Sequence, residues 1–313
     1  MEQTNYSMVT YFIIKGISDA PELQTLIFIT VLLIYLLTVS GNMTILLLVC
    51  LNSHLHTPMY FFLANLSILD MSCSTVTLHV IITSFISSNK TVSFANCLAQ
   101  VYFFSCFTSN ELLILSAMSY DRYAAICKPL HYHMVMNGRV CKMMAFVCWI
   151  LGFIEIIPYL VLLLHISCYK SNIINHFFCD IMPVMKLSCS DNSALEILIY
   201  TEGLFILSMT PFLLTFCSYV FIINAILRIH SNIGRRKVFY TCSSHLTVVV
   251  LLYTTLFFQY LRPRSVDILE SNKLFSLFNT AAVPILNPLI YSLKNKDVKA
   301  ALKENISKIK LKV

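Results

Sequence analysis

Two short groups of residues carry most of the chemistry legible in this chain. Asp121, Arg122 and Tyr123 are consecutive, and Asn287-Pro288 is followed by Tyr291. An Asp-Arg pair is ion-pair chemistry: the guanidinium is held by its neighbour or offered to the backbone carbonyls of an incoming partner. Proline donates no N–H and frees a carbonyl one turn earlier, so a helix can bend at Pro288, and likewise at Pro158 and Pro211. Four carboxylates, Asp70, Glu111, Glu155 and Glu202, fall inside long apolar stretches. There an ionisable group costs about 2.5–3.5 kcal/mol on insertion scales and usually faces the interior of a bundle. Asp70 and Glu111, each near the middle of its stretch, read with Asn42 and Asn287 as a polar cluster. A bound Na⁺ or shared protons would neutralise it; a structural polar network is the other reading. No role for Glu155 or Glu202 is legible from the residues alone. Nothing resembles a catalytic set: there is no Ser-His-Asp order, no His-Glu-x-x-His and no accessible carboxylate pair. With six glycines there is no Gly-rich phosphate loop, and the 12 cysteines lack zinc-ligand spacing. An enzyme is not the reading, and no cofactor beyond that Na⁺ is implied.

The elements that must position these groups are set by hydrophobicity. Hydrophobic residues are 58% of the 313 and charged residues 12%, with a mean hydropathy of +0.76. A soluble domain averages about 25% charged residues, so lipid must cover much of this surface. A span needs roughly 20 apolar residues, and seven stretches qualify: 26–51, 58–83, 97–120, 143–164, 197–227, 238–261 and 274–293. The expected fold is an all-α membrane protein, one domain over 1–313. Residues 1–25 would be outside, 26–293 would form a seven-helix bundle, and 294–313 would be a cytoplasmic tail. Within 295–307, Val298, Ala301, Leu302 and Ile306 alternate with lysines, as in a short amphipathic helix on the membrane surface. No removable signal peptide is visible, so the first span would serve for targeting.

Orientation follows from the excess of Lys and Arg on cytoplasmic loops. With the N-terminus outside, 15 of the 22 Lys and Arg lie within and 7 without. The net charge of +7 is then a topology signal, and a partner in anionic inner-leaflet lipid, rather than a nucleic-acid footprint. Asn5 opens an N-glycosylation sequon on the outer side; the sequon at Asn89 sits in a very short loop near the membrane. Cys97, Cys168, Cys179 and Cys189 are also outside, where two disulfides are expected; four cysteines allow three pairings. The second outer loop, 165–196, carries three of them and would fold over the mouth of the bundle.

Depth along the third span is fixed by counting from Arg122. Phe104 is 18 residues earlier, about 27 Å along a helix at roughly 1.5 Å per residue, so it lies near the outer face. Ser105, Ser109 and Leu112 follow i, i+4, i+7, bordered by Phe104 and Thr108. On the sixth span Tyr253, Leu256, Phe257 and Tyr260 follow i, i+3, i+4, i+7. Two such faces would line an apolar cavity with a few hydroxyls, suited to a small, mostly uncharged molecule. A packed interhelical core is the alternative, since Ser and Thr also join membrane helices.

Five motifs together resemble the rhodopsin-like G-protein-coupled receptors, and within them the vertebrate olfactory receptors, from about residue 12 to 302. They are Leu55-His56-Thr57-Pro58-Met59-Tyr60-Phe61-Phe62-Leu63, Met118-Ser119-Tyr120-Asp121-Arg122-Tyr123-Ala124-Ala125-Ile126-Cys127, Ser218-Tyr219, Lys237-Val238-Phe239-Tyr240-Thr241-Cys242-Ser243-Ser244-His245, and residues 284–291. The chain departs from the family pattern at Ser119, Ala124, Ile285 and, most, Tyr240. The resemblance implies a plasma-membrane odorant receptor that couples to a stimulatory olfactory-type G protein and raises cyclic AMP. It implies disulfides Cys97–Cys179 and Cys168–Cys189. It adds Gly203, Leu207 and Thr280 to the ligand contacts and puts Tyr253 at the floor of the site. Arg122, Tyr219 and Tyr291 would rearrange on activation, and His245 would lie with Arg122 where a G-protein helix enters. The seventh span has no Lys to hold retinal. Phe104 stands where amine receptors carry an Asp, so an amine held in their way is not expected. A transporter or channel would need a polar path, and the lack of an internal repeat speaks against it. A chemoreceptor of the same family acting outside the nose would have the same residues.

Overall fold

The computed structural model describes residues 9–18, 20–87, 89–260, 268–294 and 296–310. Asn5 lies outside the described residues, as does the side chain of Leu207.

Among the described residues seven helices are long and apolar enough to cross a membrane: Pro21–Leu51, Pro58–Ser87, Phe94–Cys127, Gly138–Leu164, Thr210–Leu227, Asn232–Tyr260 and Lys273–Tyr291. Their outward faces are apolar. Leu26, Phe146, Phe216 and Phe221 are all more than half exposed, as side chains facing lipid must be. The third span is the axis of the bundle: 72% of its most apolar window is buried, against 11% in the first. Ser93 starts it, its Oγ accepting from the N–H of Asn96 at 3.3 Å. Asn137 caps the fourth, accepting from Arg139 and Val140 N–H at 3.1 and 3.0 Å. These caps satisfy helix N–H groups that have no partner of their own.

Polar side chains tie the spans. Trp149 Nε1 donates to Asn65 Oδ1 at 3.0 Å, and Ser116 Oγ to the Pro211 carbonyl at 2.9 Å. The prolines break helical regularity where expected. The fourth span pauses after Ile154 and resumes as Ile157–Leu164 around Pro158. The fifth enters as Ser193–Leu198, widens into a π-helical stretch over Ile199–Met209, and tightens again at Thr210–Leu227, with Pro211 near its start. In the seventh, Phe278–Ala282 is π-helical and Pro288 lies inside Val283–Lys294. The carbonyls that Pro284 and Pro288 free are those of residues 280 and 284. Ser74 Oγ donates to the Thr280 carbonyl at 3.4 Å and Asn42 Nδ2 to that of Pro284 at 3.0 Å.

The outer face holds structure that an all-helical reading omits. β1 (Tyr11–Ile14) pairs antiparallel with β2 (Thr91–Ser93), Phe12 opposite Val92, and parallel with β3 (Ile173–Ile174), Ile13 opposite Ile173. The N-terminal segment therefore lies on the same side as the first and second outer loops. Both disulfides are here: Cys97–Cys179 and Cys168–Cys189, each with Cα atoms 5.4 Å apart. At the opposite end, helix Lys296–Lys310 docks by burying Val298 and Ala301. Tyr60 Oη donates to Asp297 at 3.2 Å and Asn305 Nδ2 to Asn52 Oδ1 at 3.1 Å.

Candidate functional site

A cavity of about 290 Å³ opens among the third, fourth, fifth and sixth helices in their outer halves. The third span contributes Ser105, Thr108, Ser109 and Leu112. The sixth contributes Tyr253, Leu256, Phe257 and Tyr260, and Gly203 faces it from the π-helical turn of the fifth. The helical period had grouped the first eight; their faces meet because the third and sixth spans pack on opposite sides of one space.

Phe104 and Thr280 do not line this cavity. Phe104 is fully buried against Phe178, ring centroids 4.9 Å apart, in a cluster with Phe177 and Val31. It precedes Ser105 by one residue, about 100° of helix rotation, which turns it from the cavity toward the second outer loop and the first two spans. Thr280 is buried with its Oγ1 donating to the Ser276 carbonyl at 2.8 Å.

The wall also includes residues that spacing did not single out: Ile156 and Tyr159 of the fourth span, Ile181 of the outer loop, and Ile199, Ser208, Met209 and Phe212 of the fifth. The fourth and fifth spans are broken or π-wound here, so a regular 3.6-residue pattern misses them, and a loop has no period at all. Gly203 has a steric reason to be glycine, because a Cβ there would stand 3.2 Å from Tyr159 Oη.

The lid over the cavity is tied down at two points. Gln100 of the third span accepts from the Cys179 N–H at 2.8 Å beside the disulfide. Buried Asp180 accepts from Tyr260 Oη and from Gln259 Nε2, both at 3.1 Å. Burial pushes the Asp180 carboxyl above its ordinary range, while the hydrogen bonds from Gln259, the Ile181 N–H and Tyr260 pull it back. Nearby His176 is held far down, at about 3, by burial and by the Lys273 charge.

Below the cavity, Asn287 Nδ2 donates to both oxygens of Asp70, at 3.0 and 2.9 Å. Glu111 is close enough to Asp70 for the two carboxyls to interact. Glu111 Oε1 and Asn287 Oδ1 have no protein partner. Asn42 makes its bonds to Thr38 and Pro284 instead. Among the described residues no three His, Cys, Asp or Glu side chains converge as a metal site.

At the inner end Arg122 Nη2 donates to Asp121 at 2.7 Å, and Tyr132 Oη donates to the other Asp121 oxygen at 2.8 Å. Tyr123 packs on Phe221. Tyr219 and His245 stack with rings 4° apart from parallel, Tyr219 Oη 2.8 Å from His245 Nδ1, and His245 Nε2 is 3.1 Å from the Leu115 carbonyl. Tyr291 is buried with its hydroxyl unpartnered. Pro288 lies against Gly41, where a Cβ would come within 3.1 Å of its ring. The arginine is thus bound to its own helix, while the fifth and sixth spans are joined to each other.

A sequence model of the olfactory receptor family matches residues 31–309. The chain belongs to the olfactory receptor family. It is 45% identical to human (Homo sapiens) olfactory receptor 6C1, over 95% of each chain. It is 46% identical to mouse (Mus musculus) olfactory receptor 5AR1, over 98% of this chain and 99% of the relative, and 44% identical to mouse olfactory receptor 8G50 over the whole of both. This olfactory receptor is accordingly a multi-pass plasma-membrane protein of a receptor family, not an enzyme, whose members have odorants as ligands and G proteins as partners.

Proposed function

We propose that this receptor binds a small, mostly uncharged odorant in the outer cavity and activates a stimulatory olfactory-type G protein, raising cyclic AMP. The observation that carries this is the cavity itself: none of its described lining residues is charged, and apolar side chains alternate with hydroxyls. Burial then supplies affinity and a few hydrogen bonds supply orientation. The signal leaves by the sixth span. Tyr253, Leu256 and Tyr260 touch the cavity, and two to four turns below them His245 holds Tyr219. An odorant acts only if it binds the active arrangement more tightly than the resting one. In the active arrangement Arg122 leaves Asp121, Tyr219 and Tyr291 rearrange with it, and a G-protein helix enters beside it.

The donor set around Asp70 fits a hard monovalent cation: carboxylate and amide oxygens, with Glu111 Oε1 and Asn287 Oδ1 unclaimed. If the resting arrangement holds Na⁺ more tightly than the active one, replacing Na⁺ by K⁺ in membranes lowers the half-maximal odorant concentration.

The test is a cyclic AMP screen against chemically diverse volatiles in cells whose surface receptor is counted. Odorant responses lost in Arg122→Glu at equal surface density support the reading. Responses that persist in Arg122→Glu refute the coupling route, and silence of a surface-expressed receptor across the panel refutes the whole.

A further inference from the structure

The cavity hydroxyls are oriented by what lies behind them. A hydroxyl has one proton and two lone pairs, so a proton donated into the protein leaves lone pairs for a guest. Ser109 Oγ donates to Glu155 Oε2 at 3.3 Å. Tyr260 Oη donates to Asp180 at 3.1 Å. Tyr159 donates to the Leu198 carbonyl at 3.2 Å, Tyr253 to that of Ser208 at 3.3 Å, and Ser208 Oγ to that of Gly203 at 2.9 Å. Five of the seven hydroxyl residues on the wall therefore have their proton committed away from the space they line. Thr108 stands beside the Cys73 thiol, and Ser105 is free to turn either way.

No side-chain N–H compensates. The described lining includes no Lys, Arg, His, Trp, Asn or Gln. Among the described residues the acidic groups behind this wall are Glu155 behind Ser109, Glu202, close enough to interact with Glu155, and Asp180 behind Tyr260. A carboxylate that accepts a hydroxyl's proton also makes that hydroxyl a stronger acceptor, because bonds in a chain polarise one another. Gln259 Nε2 occupies one lone pair of Tyr260, so Ser109 offers the less encumbered oxygen.

We propose that this cavity selects guests that donate a hydrogen bond, alcohols and phenols above all, over guests of the same carbon skeleton that can only accept one. The inference rests on the odorant reading given above and specifies its ligand class. An ether or aldehyde would set its lone pairs against those of Ser109 and Tyr260. At those two oxygens its polar atom would be buried unpaired, leaving the Ser105 hydroxyl as the donor it would have to reach. A carboxylate guest would face the same oxygens with a full negative charge. Glu155, for which the sequence suggested nothing, becomes a positioning residue that fixes the sense of the Ser109 hydroxyl.

The test uses the full-length receptor in cells, with surface receptor counted, an olfactory-type G protein supplied and cyclic AMP measured. The probes are matched sets, each an alcohol, its methyl ether and its aldehyde, on linear and cyclic skeletons. The expected result is that responding skeletons act as alcohols at half-maximal concentrations about tenfold or more below their ethers. Ethers or aldehydes equal to or better than their alcohols overturn the proposal while leaving the odorant reading intact, since the receptor still responds. Silence to every probe overturns both. Glu155→Gln supplies an amide that can donate to Ser109 and turn its proton toward the cavity, so the alcohol-to-ether ratio should collapse toward one. That ratio is internal to each receptor and does not depend on expression level, so a merely destabilising substitution would leave it unchanged. An unchanged ratio in Glu155→Gln overturns the role given to Glu155. If Glu155→Gln fails to reach the surface, Tyr260→Phe is the second variant, and its ratio should also fall.

Discussion

His176 shows how far a single side chain can be set by its surroundings. It is 2% exposed, stacks on Phe177 with centroids 4.7 Å apart, and meets Phe178 edge-on at 4.8 Å. Its Nδ1 accepts from the Phe178 N–H at 3.4 Å, which a protonated ring could not do. Burial and the Lys273 charge lower it to about 3, well below the roughly 6.5 of an unfolded histidine. The unfolded chain therefore binds a proton that the folded one refuses, and stability falls as pH drops from about 6.5 toward 3. Asp180 works in the opposite sense, since a raised carboxyl loses its folded-state advantage as pH rises. The histidine is isolated by comparing purified receptor with His176→Phe across pH 7 to 4. The wild-type melting temperature should drop on acidification and that of the variant should drop less, reflecting a stability difference on the order of a few kcal/mol. Identical slopes would show that this ring is not what titrates. The sequence shows His176 followed by Phe177 and Phe178, one of 9 histidines, but only folding buries it and brings Lys273 near. Ser109 and Tyr260 were legible, because helical period groups each with the other cavity residues of its own helix. Phe104 was misplaced because one position along a helix is a change of face.

At the scale of elements, the sequence announced its helices through hydrophobic length and its irregularities through proline. It did not announce how those irregularities are repaired. The carbonyl freed by Pro288 is taken by Asn42, 242 positions earlier, and the first and seventh spans approach closely because Gly41 has no side chain against the Pro288 ring. These two residues are adjacent on the first helix and serve the same contact. Gly41→Val should push the helices apart at a cost of about 1–3 kcal/mol, and Asn42→Leu should leave the Pro284 carbonyl buried and unpaired at a similar cost. Both effects are measured as the ratio of surface to total receptor and as the melting temperature of the solubilised protein. Because the substitutions act on one contact, the double variant should cost less than the sum of the two. Full additivity would mean that the glycine and the asparagine work separately. The small outer sheet was not foreseen for the opposite reason. Its strands are two to four residues long, too short to carry a period, and they pair only because the helices bring the loops together.

At the scale of the molecule, the cavity and the arginine are at opposite ends of one bundle, and the proposed function joins them through an equilibrium between two arrangements. On that proposal the resting one is the arrangement with the chain Tyr132–Asp121–Arg122, whose contacts are 2.8 and 2.7 Å, with Asp121 fully buried and Arg122 largely so. A charge-assisted bond of this kind contributes about 1.5–3 kcal/mol, and part of that is retained when Arg122 finds other acceptors in the active state. Asp121→Asn keeps the shape but removes the charge, so it should raise the active-to-resting ratio by about 5- to 30-fold, equivalent to 1–2 kcal/mol. Basal cyclic AMP per surface receptor should rise accordingly. If the odorant and Arg122 bias the same equilibrium, as proposed, the substitution must also tighten odorant binding by the same factor while the resting state still dominates. The check is direct: measure basal signalling and odorant affinity on one set of membranes and compare the two ratios. A rise in basal signalling with unchanged affinity would separate the ion pair from the cavity, and the bundle would then be two local devices rather than one coupled switch.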